Sequence, residues 1–107
     1  MNSFDASAVL AVLNDEHGAQ AAIALMDEPD GVISAVNYAE VMAKLIDRGL
    51  TDADASEAWA HLPLTVEALS RDTALAAGLL RKTTRSRGLS LGDRCCAWYW
   101  RKAWAAL

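Results

Sequence analysis

Residues 31–49, GVISAVNYAEVMAKLIDRG, constrain the fold of this chain more than any other stretch. The run GVISAV is apolar and partly β-branched but too short for a helix, so it reads as a buried strand. Near Ser34 it turns, with no loop between, into a helical repeat that carries Ala39, Met42, Leu45 and Ile46 and stops at Gly49. A buried strand that feeds directly into an amphipathic helix is half of a strand–helix–strand unit, and such units build parallel sheets.

The rest of the chain repeats the pattern. FDASAVLAVLN places Asp5 at a helix start, with Val9, Leu10 and Leu13 at helical spacing behind it. EHGAQAAIALMDE continues with Ala19, Ala22, Ile23 and Met26 on one side, and both prolines, Pro29 and Pro63, fall where helical patterns stop. Thr51 and Asp54 have capping-box spacing and open a helix that runs through Trp59. LPLTVEAL is a second strand, after which Ser70 caps a long helix carrying Leu75, Leu79 and Leu80 and reaching Gly88. GLSLGDRCCAWYWRKAWAAL closes the chain as a further helix with three tryptophans. The expectation is an α/β chain with a parallel sheet, and ligands of such sheets lie at the carboxyl ends of the strands.

Length and composition set the outer bounds. At 107 residues the chain is expected to be one domain, residues 1–107. Apolar residues make up 53% and charged residues 22%, the balance of a globular protein, and no apolar run approaches a membrane span. There is no basic region followed by an apolar run at the start, so the expected location is the cytoplasm. Cys95 and Cys96 are adjacent, unsuited to a mutual disulfide and unlike a spaced zinc signature, and they read as small reduced thiols in the core. Residues 1–70 carry twelve acids against Lys44 and Arg48, a balance of −10, whereas residues 71–107 carry eight bases against Asp72 and Asp93, a balance of +6. That division fits a polyanionic partner on the basic side, or two halves that mix into one surface on folding.

Three acids stand in apolar surroundings: Asp5 beside Phe4, Glu40 in SAVNYAEVMAKL, and Asp93 in LSLGDRCCAW. Each also has a local role open to it. Asp5 suits a helix N-cap, Glu40 has Lys44 one turn on, and Ser90 with Asp93 fits a capping pattern at a positive helix end. Taken together they suggest a shared pocket, because carboxylates crowded in a half-apolar site take up a proton or a cation. A hard divalent ion with oxygen ligands and bound water is the natural cation, and it suits attack of water on a phosphodiester.

The segments FDASAVLAVLN, ISAVNYAEVMAKL and GLSLGDRCC, in this order, closely resemble the three N-terminal acidic motifs of PIN-domain ribonucleases, and most of all the VapC-type toxins of bacterial toxin–antitoxin pairs. The resemblance covers essentially the whole chain. It implies a three-layer α/β/α sandwich with a short, mainly parallel sheet. It implies Mg²⁺- or Mn²⁺-dependent endonucleolytic cleavage of RNA, inhibited by a cognate VapB-type antitoxin, and a homodimer. Asp5, Glu40 and Asp93 match the metal-binding, catalytic acids, and Ser7 and Asn37 match polar positions that hold carboxylate or water in place. Arg81, Lys82, Arg85 and Arg87 are candidates for contact with the RNA backbone, with helix C-terminal cations as the alternative role.

The sequence departs from that family at its end. Where the family continues into a turn, a short strand and a final acidic motif, GDRCCAW passes directly into YWRKAWAAL, with Arg101 near the place of the last acid. The last strand is therefore expected to be missing, and the first, with only MNSF before Asp5, to be trimmed. Trp98, Tyr99, Trp100 and Trp104 would then either cover the opened sheet or form an associating patch. Two functional readings follow: a metal-dependent endoribonuclease, or a catalytically impaired PIN-like protein that binds an antitoxin or dimerises.

Overall fold

The computed structural model describes residues 2–14, 19–26, 31–84 and 91–105. Three strands and the helices between them follow in the order β1 (Asn2–Phe4), α1 (Ala6–Leu13), α2 (Ala19–Met26), β2 (Gly31–Ser34), α3 (Ala35–Asp47), α4 (Asp52–Ala60), β3 (Thr65–Glu67), α5 (Arg71–Leu79), α6 (Arg81–Thr84) and α7 (Leu91–Ala105). The strands form one parallel sheet in the order β1-β2-β3. Its register pairs Phe4 with Ile33 and Ile33 with Val66.

All four residues of β2 are buried. Successive strand residues point to opposite faces, so a strand buried throughout is covered on both sides. The two faces can be told apart. Phe4 and Ile33 point into the main core with Val9, Met26, Val41, Leu45 and Ala55, which come from α1, α2, α3 and α4. Ser3 and Val32, their neighbours in register, point the other way, and there the Ser3 hydroxyl donates to the Cys96 thiol of α7 at 3.3 Å. Two crossovers of one hand that step in one direction across a sheet leave their helices on one face, which explains why α1 to α4 share a side. The result is the expected α/β/α layering.

Most helix starts are set by the residues the sequence offers. Ser34, Thr51 and Ser70 are extended N-caps whose hydroxyls accept from the backbone N–H groups of Asn37, Asp54 and Thr73. The end of α3 is equally local. Gly49 has φ 97°, its N–H bonds to the Ile46 carbonyl at 2.9 Å, and the Leu50 N–H bonds to the Leu45 carbonyl at 3.2 Å. These two bonds define a Schellman stop, in which glycine takes the left-handed position without a side-chain penalty.

Two expectations need correction. The helix capped by Ser70 ends at Leu79, and after Leu80 a separate four-residue helix, α6, begins. Gly78 in the last turn weakens the longer helix, and Gly88 lies outside the described residues. The buried face of α5 is Thr73 and Ala77, while Leu75 and Leu79 are each 59% exposed. Small residues face inward there because α7 lies close, near enough for the Arg94 guanidinium to donate to the Ala77 carbonyl at 3.3 Å. In α3 the core-facing stripe is Asn37, Val41 and Leu45, displaced from the one that would bury Ala39 and Ile46, both of which are exposed.

Asp5, Glu40 and Asp93 at the head of the sheet

Parallel pairing brings the carboxyl ends of β1 and β2 side by side, and each strand hands over at once to a helix. Asp5 is the hinge at the end of β1. Its extended backbone makes it the N-cap of α1, and Oδ1 accepts from the Ala8 N–H at 2.8 Å. The local role available to Asp5 is thus realised, and the second carboxylate oxygen is not part of the cap. Glu40 sits half-buried on α3, beyond the Ser34 cap of β2, and Asp93 sits half-buried in the first turn of α7.

The charges of Asp93 and Asp5 both reach Glu40. Burial is the largest cause raising the Glu40 carboxyl above its ordinary value, followed by the charge of Asp93 and then that of Asp5. The same acids are felt by the thiols. Burial raises Cys95 and Cys96; at Cys95 the Arg94 charge opposes it and Glu40 adds to it, and at Cys96 the Ser3 hydrogen bond opposes it while Asp5 and Asp93 add to it. Both cysteines are free, as expected, with Cys95 fully buried and Cys96 half-buried.

Asn37 ties α3 to α7 beneath Glu40. It has no exposed surface. Its side-chain amide donates to the Ser34 hydroxyl at 3.1 Å and to the Gly92 carbonyl at 2.9 Å. Its Oδ1 is buried without a hydrogen-bond partner among the described residues. A buried amide oxygen left over beside a raised carboxyl marks a place where a proton donor, or a cation, would be stabilised. The chemistry of the donors (carboxylate and amide oxygens) suits a hard divalent ion. As placed, however, no three His, Cys, Asp or Glu side chains among the described residues stand close enough to hold one metal ion together.

The remaining candidates divide. Ser7 is exposed in the first turn of α1, and no hydrogen bond among the described residues ties it to the three acids. Arg81 and Lys82 are exposed on α6. Arg85, Arg87 and Ser90 lie outside the described residues, as do the side chains of Tyr99, Trp100, Arg101 and Trp104, while Trp98 is half-buried. Sequence reasoning passed over Gly92, Ser3 and the coplanar pair Tyr38–Trp59, whose ring centroids are 4.6 Å apart. Only Gly92 had a usable signal, a glycine inside the first turn of a helix beside an acid. No helix among the described residues is long and apolar enough to cross a membrane.

A family model described as "PIN domain" matches residues 4–99. No curated protein and no solved structure matches the chain.

Proposed function

The chain belongs to the PIN domain family, whose members are generally nucleases that use divalent metal ions, and from this we propose that it is an Mg²⁺- or Mn²⁺-dependent endoribonuclease of the toxin type. The supporting observation is electrostatic: the charges of Asp93, on α7, and Asp5, at the end of β1, both raise the carboxyl of Glu40, on α3. In this reading residues 1–107 form one cytoplasmic domain, a homodimer whose activity a VapB-type antitoxin inhibits.

Asp5, Glu40 and Asp93 would hold the ion only after drawing closer together than they stand, and the ion would supply a water of lowered pKa and neutralise charge developing on the phosphate. The protein's own contribution is positional. The Asp5 cap fixes one carboxylate at the strand end while leaving its second oxygen outside the cap. Asn37, bonded to both Ser34 and Gly92, ties α3, which carries Glu40, to the start of α7, which carries Asp93. Ser7 would order water near Asp5. Arg81 and Lys82, with Arg85 and Arg87, would meet the RNA backbone, a contact that weakens with salt.

The second reading, an impaired PIN domain that only binds an antitoxin or dimerises, draws on one observation: the acids are not gathered as a ready ligand set. The test is cleavage of end-labelled RNA by the purified chain with Mn²⁺ or Mg²⁺, beside Asp5→Asn, Glu40→Gln and Asp93→Asn. The nuclease reading expects metal-dependent cleavage that each substitution abolishes. Cleavage that survives all three substitutions, or none by the unaltered chain, overturns it.

A further inference from the structure

We propose that Gly92 is a positioning residue for Glu40, and that the space left by its missing side chain aims the Glu40 carboxylate into the acidic site. The proposal deepens the nuclease reading and rests on it for its catalytic consequence, though not for its geometry.

A side-chain carbon at position 92 would lie 2.6 and 2.8 Å from the two carboxylate oxygens of Glu40 and 2.7 Å from Asn37 Oδ1. Carbon atoms do not approach oxygen that closely, so any other residue forces something to shift. The backbone of Gly92 does not require glycine, since its φ is not in the left-handed region. Space is the reason for it.

What would shift can be read from the anchors. Asn37 is wholly buried and its amide is committed to Ser34 Oγ and the Gly92 carbonyl, so its Oδ1 is fixed in place. The Glu40 carboxylate ends a flexible, half-buried side chain. A methyl at position 92 therefore displaces Glu40 first. The close approach has a second consequence: residue 93 follows directly, so the approach of α7 to α3 at Gly92 also sets how near the Asp93 charge comes to Glu40. Alanine is the better helix former, so intrinsic propensity alone would make Gly92→Ala stabilising. Contact with Glu40 predicts the reverse.

The experiment compares the full chain with Gly92→Ala, Glu40→Asp and the double variant, by thermal melting without metal and by cleavage of the same RNA with Mn²⁺. Aspartate is one methylene shorter and withdraws its oxygens from position 92. The expected result is that Gly92→Ala melts several degrees lower, and that adding Glu40→Asp recovers the part of that loss due to Glu40 while the part due to the fixed Asn37 oxygen remains, whereas Glu40→Asp alone does not raise the melting temperature. In cleavage, Gly92→Ala lowers kcat about a hundredfold with KM little changed, the scale of an ångström-sized misplacement. A chain that does not cut RNA sinks the nuclease reading, but the melting cycle still decides the role of Gly92. Independent effects of the two substitutions overturn the proposal, as does a Gly92→Ala variant that fails to fold and stays unfolded with Glu40→Asp added.

Discussion

The Asn37 side-chain amide donates to the backbone carbonyl of Gly92, 55 residues further on, at 2.9 Å. This bond joins the helix that carries Glu40 to the helix that carries Asp93, without a charge of its own. Both residues are buried, and Asn37 also takes part in the cap of its own helix, since the Ser34 hydroxyl accepts from its backbone N–H at 3.1 Å and from its side chain.

Replacing Asn37 by Ala should therefore cost more than a surface asparagine would. It leaves the Gly92 carbonyl without this donor in a buried site, a loss of about 1–3 kcal/mol. A urea midpoint unchanged by Asn37→Ala would show that the bond contributes nothing to the joining of α3 and α7.

At Asp5 the cap and the charge can be separated. Asn caps as well as Asp, whereas Ala does not and loses about 1 kcal/mol. Asp5→Asn is expected to melt close to the unaltered chain and to abolish RNA cleavage, while Asp5→Ala loses both stability and activity. Full activity in Asp5→Asn would leave Asp5 as a cap alone.

The Glu40 carboxyl titrates above its ordinary value of 4.5, by burial first and then by the charges of Asp93 and Asp5. Between 4.5 and that raised value the folded chain binds more protons than the unfolded chain, so stability falls as pH rises through the window. Above the window the whole penalty is present. Glu40→Gln should flatten this fall and make the metal-free protein more stable than the unaltered chain at neutral pH. Urea midpoints measured from about pH 4 to about pH 8 read the effect directly. An equal slope in the two proteins would mean that Glu40 is not held in this environment.

Tyr38 and Trp59 stack with an interplanar angle of 5°, linking α3 to α4 on the face of the sheet away from α7. A double-mutant cycle through Tyr38→Leu and Trp59→Leu should give a coupling of about 0.5–1.5 kcal/mol beyond the area each ring buries. RNA cleavage by folded single variants should stay near that of the unaltered chain, because neither ring belongs to the acidic site.

Buried and exposed apolar residues of similar size should behave oppositely. Met26 has no exposed surface, and Met26→Ala should cost about 2–5 kcal/mol. Leu79 is 59% exposed, and Leu79→Gln should stay within about 0.5 kcal/mol in either direction. A large loss at Leu79 would mean that the exposed side of α5 is covered in solution.

The local rules of the chain were enough for its elements. Apolar runs too short for helices became β2 and β3, and Ser34, Thr51, Ser70 and Gly49 began or ended helices through bonds to their immediate neighbours. Asp5, Glu40 and Asp93 were legible as candidates because acids in apolar surroundings are unusual, and their order matches a family of nucleases. What the sequence could not reveal depends on contacts between distant segments. Asn37 was legible as a polar position beside the acids, but its complete burial depends on a bond to Gly92, 55 residues on, as well as the local one to Ser34. Leu75 and Leu79 read as core, yet the close approach of α7 selects Thr73 and Ala77 instead. The action of Asp5 and Asp93 on Glu40 exists only once β1 and β2 pair in parallel and α7 returns to the head of the sheet, because charge interactions depend on distance in space and not along the chain.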